Sequence, residues 1–348
     1  NSVLLHRDVD LVKETEVIPV NLTYPFSAIV GTKIDSRSIE NPPARGFDCK
    51  LKKVKVPSNY RYEGDNGLDK RYWKREKEFN EADTELKRVY QGDWDGTFSE
   101  ELQWTDNPAW ILYDLLTSKR YGLGQHIDED SINKWQLYRI GRFCDAVNDE
   151  GIFEGCSDGH GGYEPRFTCN IMFSEGEKIY DAINTIVNLF RGSVFFGSNE
   201  ISFVDDRPRS PVNLITNENV KDGQFAYSNH NRDEVYNTIE VSYNDRFHNY
   251  LPKVEVVENE DDIKDRGVFK TRIEGVGLTS RAMARRAGLH HMVHKISENQ
   301  TVAFRASLPT LLCHPGDLVV IEDELKTNIQ NFGKILSVDP AAQEIRVS

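Results

Sequence analysis

The sequence predicts an α+β fold that is mainly β and is divided into three sections. Short runs of alternating apolar and polar residues lie towards both ends of the chain, and three helix patterns lie between them. The length of 348 residues also exceeds what a single hydrophobic core usually organises. We therefore expect a β-rich section at 1–100, a helical α+β section at 101–208, and a β-rich section at 209–348 that holds one helix, at 279–297.

The first section changes character part-way along. Residues 1–57 contain short β-type runs, of which Val17–Tyr24 alternates apolar and polar residues as a half-buried strand does. Residues 58–92 are instead dense in both signs of charge, and acidic residues interrupt the basic run at 70–77. This mixture predicts an exposed loop or a surface helix, inserted into the section, rather than a nucleic-acid patch.

The clearest helix signal of the middle section is DNPAWILYDLLTSKRYGLG, at 106–124. Asp106 or Asn107 can cap this helix, and Pro108 suits its first turn because the missing N–H would have no partner there. Lys119 and Arg120 are the predicted cations of its last turn, and Gly122 and Gly124 are expected to end it. The predicted apolar stripe consists of Ile111, Leu112, Leu115 and Leu116.

Two more helices and a hairpin follow. The second helix should begin at Asp130 or Ser131, and a capping box at 174–177 should begin the third, which Gly192 ends. Ser193–Phe196 and Glu200–Val204 then predict a β-hairpin. The predicted inward residues of the two helices are Trp135, Leu137, Tyr138, Ile140, Cys144, Val147, Ile179, Ile183, Ile186, Val187 and Phe190.

The last section reads as strands around one helix. Thr238–Tyr243 alternates cleanly, and Leu318–Ile321 is expected to pair with Gly333–Val338. The helix at Thr279–Ser297 is expected to bury Ala282, Leu289, Val293 and Ile296.

Composition limits the classes of function. The net charge of −13 argues against a surface that neutralises nucleic-acid phosphates. No run approaches about 18 apolar residues, so we expect no membrane span. Because the chain starts at Asn1 and ends inside a strand-like run, we interpret it as a segment of a longer polypeptide. The five cysteines are few and scattered, which suggests reduced thiols in a protein folded in the cytoplasm.

One group of residues has the chemistry of a zinc site. Cys144, Cys156, His160 and Cys169 lie within 26 residues of each other. Their spacing is irregular and matches no zinc finger or knuckle, so buried or idle thiols are the preferred interpretation and no metal or cofactor is expected.

Other arrangements give weaker signals. His290 and His294 lie one helical turn apart, but the sequence between them lacks the glutamate of a metalloprotease helix, and nearby arginines make the face cationic. The adjacent carboxylates Asp93/Asp95, Asp205/Asp206 and Asp261/Asp262 are not placed to face each other across a sugar. We therefore expect no enzyme.

Seven sequence blocks in register carry a family resemblance. Their order and separations resemble the tail tip attachment proteins of long, non-contractile-tailed phages, whose type case is the host-specificity protein J of lambda-like phages. The resemblance extends from about Tyr24 to Asp339. The blocks are Lys55–Tyr60, Gly92–Phe98, Asp130–Asp145, Gly161–Asn170, Phe203–Pro208, Gly277–Met292 and His314–Asp323.

This resemblance implies a structural virion protein at the tail tip. In the family, three copies form a homotrimer ring, or hub, that closes the tail tube, and each copy contributes two β-barrel-like domains. The implied partners are the distal tail protein, other tail tip subunits and the tape-measure protein, with no membrane and no sequence-specific nucleic acid. The receptor-binding central fibre lies beyond Ser348. Positions 57–60, 94–96, Arg285, Arg286 and Gly288 match the family's structural signatures.

Two alternatives stay open on sequence grounds. One is a tail-associated zinc-dependent cell-wall hydrolase that uses the Cys/His group. The other is a sugar-binding module, for which Tyr72 and Trp73 are the candidate aromatic platform.

Overall fold

The structure is a computed structural model that describes residues 49–63, 69–74, 87–173, 178–197, 200–229, 235–297, 300–306, 313–327, 335–339 and 344–347. The chain forms two compact units, residues 1–53 and 54–348. Of the first unit only 49–53 are described, so the strands predicted before residue 49 lie outside the described residues.

The first half of this unit is built from three helices and short strands. β1 pairs with β3, β5 lies between β2 and β4, and β6 pairs with β7 in an antiparallel hairpin. The elements are β1 (Lys53–Val54), β2 (Trp73–Lys74), β3 (Gln103–Trp104), α1 (Pro108–Thr117), α2 (Lys134–Cys144), β4 (Cys156–Ser157), β5 (Gly162–Glu164), α3 (Ile179–Leu189), β6 (Gly192–Gly197) and β7 (Glu200–Asp205).

The second half holds four small sheets. β10 lies between β11 and β12, and the other pairs are β9–β13, β8–β14 and β15–β16. The elements are β8 (Asn213–Thr216), β9 (Ala226–Asn229), β10 (Thr238–Asp245), β11 (Leu251–Glu258), α4 (Glu260–Arg266), β12 (Lys270–Glu274), α5 (Arg281–Ser297), β13 (Gln300–Ala303), β14 (Val319–Glu322), α6 (Glu324–Thr327), β15 (Ile335–Asp339) and β16 (Glu344–Val347).

The fold is therefore mixed helix and sheet. Every sheet among the described residues has two or three strands, and none of them closes into a barrel. The prediction of one helix in the last section is wrong, because α4 and α6 accompany α5.

Helix α1 begins where its sequence predicts and ends earlier. The Asn107 side chain accepts a hydrogen bond from the Ala109 N–H, which caps the first turn. The helix stops at Thr117, so Lys119 and Arg120 lie beyond it and the prediction of cations in its last turn is wrong. The chain turns back instead: a Cβ at Gly122 would lie 1.9 Å from the Leu115 carbonyl oxygen, which explains why glycine stands there.

The other two helices begin later than predicted. α2 starts at Lys134, because Asn133 accepts from the Gln136 N–H and residues 129–131 form a separate 3₁₀ turn. Trp135 on this helix is half exposed. α3 starts at Ile179, and the capping box predicted at 174–177 lies outside the described residues.

One large hydrophobic core unites the three helices with the segments that flank residues 64–68 and 75–86. The expectation of an exposed loop or a surface helix at 58–92 is therefore wrong for the described part of that stretch, where Tyr60, Tyr62, Val89 and Tyr90 are buried. A second, smaller core lies between α5 and the β10–β11 pair. The largest fully buried residues of the first core are Trp110, Tyr60, Tyr90, Tyr113, Phe190, Leu112, Leu116, Leu137, Ile140 and Ile186.

Helix α5 packs on the face opposite to the predicted one. It buries the small or flexible side chains Met283, Ala284, Gly288 and Met292. A Cβ at Gly288 would lie 2.8 Å from Val257 Cγ2, so the glycine permits the helix to approach the sheet closely. The large aliphatic residues predicted for the core point away.

Strand pairing in the last section also differs from the prediction. β14 pairs in parallel with β8, in the register Val320 to Leu214, instead of with the following strand. β15 pairs with β16. The predicted strand at Thr238–Tyr243 is confirmed as β10, and its alternate residues Ile239, Val241 and Tyr243 are buried.

Candidate assembly surface and its buried supports

The feature most suited to contact another chain is the outer face of α5, defined here as Leu289, Val293 and Ile296. Their side chains are 40%, 58% and 44% exposed. Aliphatic residues at helical spacing ordinarily face a core, and on a helix that already buries its other side they form an apolar stripe available to a partner.

Ion pairs hold this helix in place. Glu255 on β11 is buried, and its carboxylate lies 2.8 Å from Arg281 Nε and 3.6 Å from Arg285 Nη1. These contacts join the first two turns of α5 to β11. Arg285, a family-signature position, has a structural role here.

Within the described part of the chain, the sheet beneath α5 has two edge strands. Among the described residues, β11 and β12 each pair only with β10. Val254 and Val256 are also exposed, on the sheet face that α5 does not cover. Open edges expose backbone donors and acceptors that can pair with a strand of another chain.

A buried ion cluster supports the large core. The Arg71 guanidinium is completely buried and lies 2.7 Å from Asp69, 2.8 Å from Asp106 and 2.9 Å from Asp145. Asp106 precedes α1 and Asp145 follows α2, so one side chain connects residues 69–72 to both helices. The sequence predicted an exposed loop or a surface helix at this position, and for Arg71, which is buried, that prediction is wrong.

Neutral side chains also donate hydrogen bonds to this cluster. Asp145 accepts from Tyr90 Oη at 2.8 Å and from Asn107 Nδ2 at 2.7 Å, and Asp106 accepts from Tyr72 Oη at 2.8 Å. Burial raises the pKa of Asp145, and Arg71 offsets part of that rise. Tyr72, a candidate for a sugar platform, is therefore used inside the protein.

A second buried carboxylate joins the two cores. Glu164 at the end of β5 is fully buried and accepts from Ser280 Oγ at 2.8 Å. Its oxygens also lie 2.9 Å from Arg286 and 3.1 Å from Arg246. Burial raises the pKa of Glu164, and the two guanidinium groups act against that rise. One residue of the first half thus contacts three positions of the second half, and it lies in the family block Gly161–Asn170.

The family-signature blocks of the first half meet in the structure. Asn59 Nδ2 donates to Tyr138 Oη at 2.8 Å, and the Trp94 ring stacks on the Tyr138 ring at 4.6 Å. Asp95 accepts from the Thr97 backbone N–H at 2.9 Å. These blocks stabilise the packing of residues 57–60 and 94–98 on α2, which is a structural role.

The zinc candidates are placed differently from one another. Cys144 and Cys169 are buried, and burial raises the pKa of the Cys169 thiol to about 12. Cys156 lies on β4, and the exposed His160 ring packs against Phe247 at 5.0 Å. Within the described ranges, no three His, Cys, Asp or Glu residues form a group that could hold a metal ion.

The remaining candidates have structural partners. The His290 and His294 rings are 5.8 Å apart, and His290 Nε2 lies 2.9 Å from Asp206. Asp205 is buried and pairs with Arg209 at 3.2 Å. Asp261 and Asp262 pair with cations of their own helix, α4.

Asp245 at the end of β10 gives a pH-dependent contribution to stability. Burial alone would raise its pKa, but hydrogen bonds from Lys253, from the Phe247 backbone N–H and from His248 lower it from 3.8 to about 2. Because the folded pKa lies below the unfolded one, the stabilisation is present above about pH 4 and is lost as the pH falls towards 2.

We therefore expect Asp245→Asn to lower the free energy of unfolding by about 1 kcal/mol at pH 7, since water screens the partly exposed Lys253 and His248. Urea unfolding at pH 7 and at pH 2.5 measures this difference, which should fall to about a third at the lower pH. The matched control is Asp261→Asn, whose side chain is 97% exposed. An equal loss of stability at both pH values would show that the ionisation of Asp245 does not contribute to stability.

The chain is similar to known phage tail proteins. Residues 178–333 match the family described as "Putative phage tail protein". The chain is 31% identical over 338 residues to "Tip attachment protein J" of Escherichia phage SECphi27, covering 97% of this chain and 25% of that protein. The chain is a homologue of part of tip attachment protein J.

A second J protein supports the same assignment. "Tip attachment protein J" of Escherichia phage SECphi4 is 28% identical over 345 residues, covering 97% of this chain and 27% of that protein. The chain thus spans about a quarter of the length of the curated J relatives it matches. The resemblance read from the seven sequence blocks is confirmed. In the part of the chain that the structure describes, no helix is long and apolar enough to cross a membrane.

Proposed function

We propose that this chain is a structural subunit of a phage tail tip, in the hub that closes the tail tube and connects it to the receptor-binding central fibre. The observation that carries the proposal is the match to two J proteins along 97% of the chain. The geometry is consistent with it, because the buried clusters have structural roles and the apolar outer face of α5 is exposed. No catalytic role is part of the proposal.

We propose further that three copies form the ring. A closed ring needs heterologous interfaces, in which one surface of a subunit meets a different surface of the next. The outer face of α5 and the open edges of the β10–β11–β12 sheet are suitable surfaces for such contacts. Two related hub domains, at 1–100 and 209–348 on either side of 101–208, would let three chains meet six partners.

The proposed neighbours are the distal tail protein, other tail tip subunits and the end of the tape-measure protein. The subunit is made in the host cytoplasm and resides at the virion tail tip. The excess of acidic residues would keep the bore of the ring from binding the DNA that passes through it. Acidic side chains that point away from the threefold axis of an assembled ring would contradict this charge placement.

The outer face of α5 supplies a direct test. Leu289→Glu and Val293→Glu place a charge in the proposed interface and are expected to weaken self-association more than tenfold, because a desolvated unpaired charge is costly. Sedimentation velocity of the chain, alone and mixed with the distal tail protein, measures assembly. The parent is expected at three times the 39.9 kDa chain mass.

Lys295→Gln is the matched control, because it changes the net charge by the same amount at an exposed position of the same helix. Circular dichroism checks that all variants are folded. If the folded glutamate variants assemble as the parent does, the outer face of α5 is not part of the interface. A parent chain that stays monomeric both alone and in the mixture with the distal tail protein would contradict the ring.

A further inference from the structure

A cavity of about 340 Å³ lies where α3, α5, β12 and the loop after β5 meet. Apolar side chains form much of its wall, and the exposed Glu274 and Val276 lie on its lining. This volume is within the range of sites that hold small ligands. The apolar side chains used in the argument below are Phe167, Leu189, Ile273, Leu278 and Met283.

Three arginines share this cavity. Arg166, Arg191 and Arg286 come from the loop after β5, from the α3–β6 connection and from α5. Aromatic rings position two of them, since the Arg166 guanidinium lies 4.2 Å from the Phe143 ring centre and that of Arg191 lies 5.1 Å from the Phe167 ring centre. Like charges held together in a chain of net charge −13 need a specific reason.

The acids near these arginines are few and already have other contacts. Of the residues that line the cavity, Glu274 is the one acid. Glu164 lies outside the lining and contacts Arg246 and Ser280 as well as Arg286. The buried Nε atoms of Arg166 and Arg286 have no hydrogen-bond acceptor among the described residues.

The electrostatics agree with this geometry. Burial lowers the pKa of Arg191, Asp206 raises it, and Arg286 and Arg166 lower it, and together these effects place it at about 10. The side chain stays protonated at neutral pH, so Arg191 contributes a full positive charge to the cavity.

We propose that this cavity binds a carboxylate carried on an apolar stem. A carboxylate can accept paired hydrogen bonds from a guanidinium group, and the apolar wall would contact the stem. A fully hydrated ion such as phosphate gains nothing from that wall. The carboxylate can belong to a small organic acid or to an acidic side chain of a neighbouring chain, and the chemistry of recognition is the same.

Calorimetric titration of the folded chain tests the proposal. The probes are hexanoate, hexanol, inorganic phosphate, and the capped dipeptides Leu-Glu and Leu-Gln. We expect saturable binding of hexanoate with a Kd on the order of 1 mM, and at least tenfold weaker binding of hexanol and phosphate. If Leu-Glu binds more tightly than Leu-Gln, the natural source of the carboxylate is a protein side chain. If hexanoate binds and Leu-Glu binds no better than Leu-Gln, the natural source is a free organic acid.

Two variants and a control locate the site. Arg191→Gln should weaken hexanoate binding at least tenfold, and Ala287→Phe should do the same by filling the cavity while keeping all three arginines. Arg272→Gln removes an exposed arginine of β12 and should change nothing. Circular dichroism confirms folding. Absence of saturable hexanoate binding, or equal binding to parent and folded Ala287→Phe, overturns the proposal.

Discussion

Replacing Arg71 with methionine is expected to lower the free energy of unfolding by about 3 to 5 kcal/mol. The guanidinium is the one cation that contacts Asp106 and Asp145 among the described residues, and both carboxylates are buried. Methionine fills similar space, but it leaves the two acids uncompensated in the interior. Urea unfolding followed by circular dichroism and by tryptophan fluorescence measures the loss.

Two comparisons make this result specific. Arg71→Lys should lower the free energy of unfolding less than Arg71→Met does, because the ammonium keeps the positive charge. It should still be less stable than the parent, because an ammonium does not reproduce the three directional contacts of the guanidinium. Lys264→Ala breaks the exposed pair with Asp261 and should cost at most about 1 kcal/mol. If Arg71→Met cost no more than Lys264→Ala, the cluster would not be a structural support.

Replacing Glu164 with alanine is also expected to lower the free energy of unfolding by about 3 to 5 kcal/mol. It removes the shared acceptor of Ser280, Arg246 and Arg286, and it leaves two guanidinium groups in partly buried positions. Because Glu164 joins the two cores, we also expect calorimetry to show two separated unfolding transitions where the parent shows one.

The control for this change is Asp261→Ala, which removes a carboxylate at an exposed position. The free energy of unfolding of Glu164→Gln should lie between those of the parent and the alanine variant, since its amide oxygen can still accept a hydrogen bond from Ser280. A single cooperative transition in Glu164→Ala with a loss below about 1 kcal/mol would mean that the two cores are joined by other contacts.

Local signals were the most predictable part of the fold. The start of α1 at Pro108, the hairpin of β6 and β7, and the strand at Thr238 each depend on residues within a few positions of one another. A cap, a turn or an alternation of burial is decided by such neighbours, so the sequence alone suffices there.

Features that depend on distant residues were not predictable. Arg71 reads as one cation of a basic run, yet its partners Asp106 and Asp145 stand 35 and 74 positions away. The pairing of β14 with β8 likewise joins residues about a hundred positions apart, such as Val320 and Leu214. Neither relation leaves a periodic trace in the sequence.

The outer face of α5 shows a different limit. Apolar spacing correctly indicates a helix, but it does not say which of two faces the tertiary structure buries. Here Gly288 and Ala284 permit close packing on the sheet, and the larger Leu289 and Val293 are left outside. The residues predicted to be core are thus the ones we propose for assembly.

The most direct test of the tail tip hub is a cryo-electron microscopy reconstruction of tails that carry this protein. We predict density for three copies around the tail axis at the tip, with the outer face of α5 in contact with a neighbouring chain. Absence of this fold from the tip, or a tip in which Leu289 and Val293 face solvent in every copy, would contradict the account.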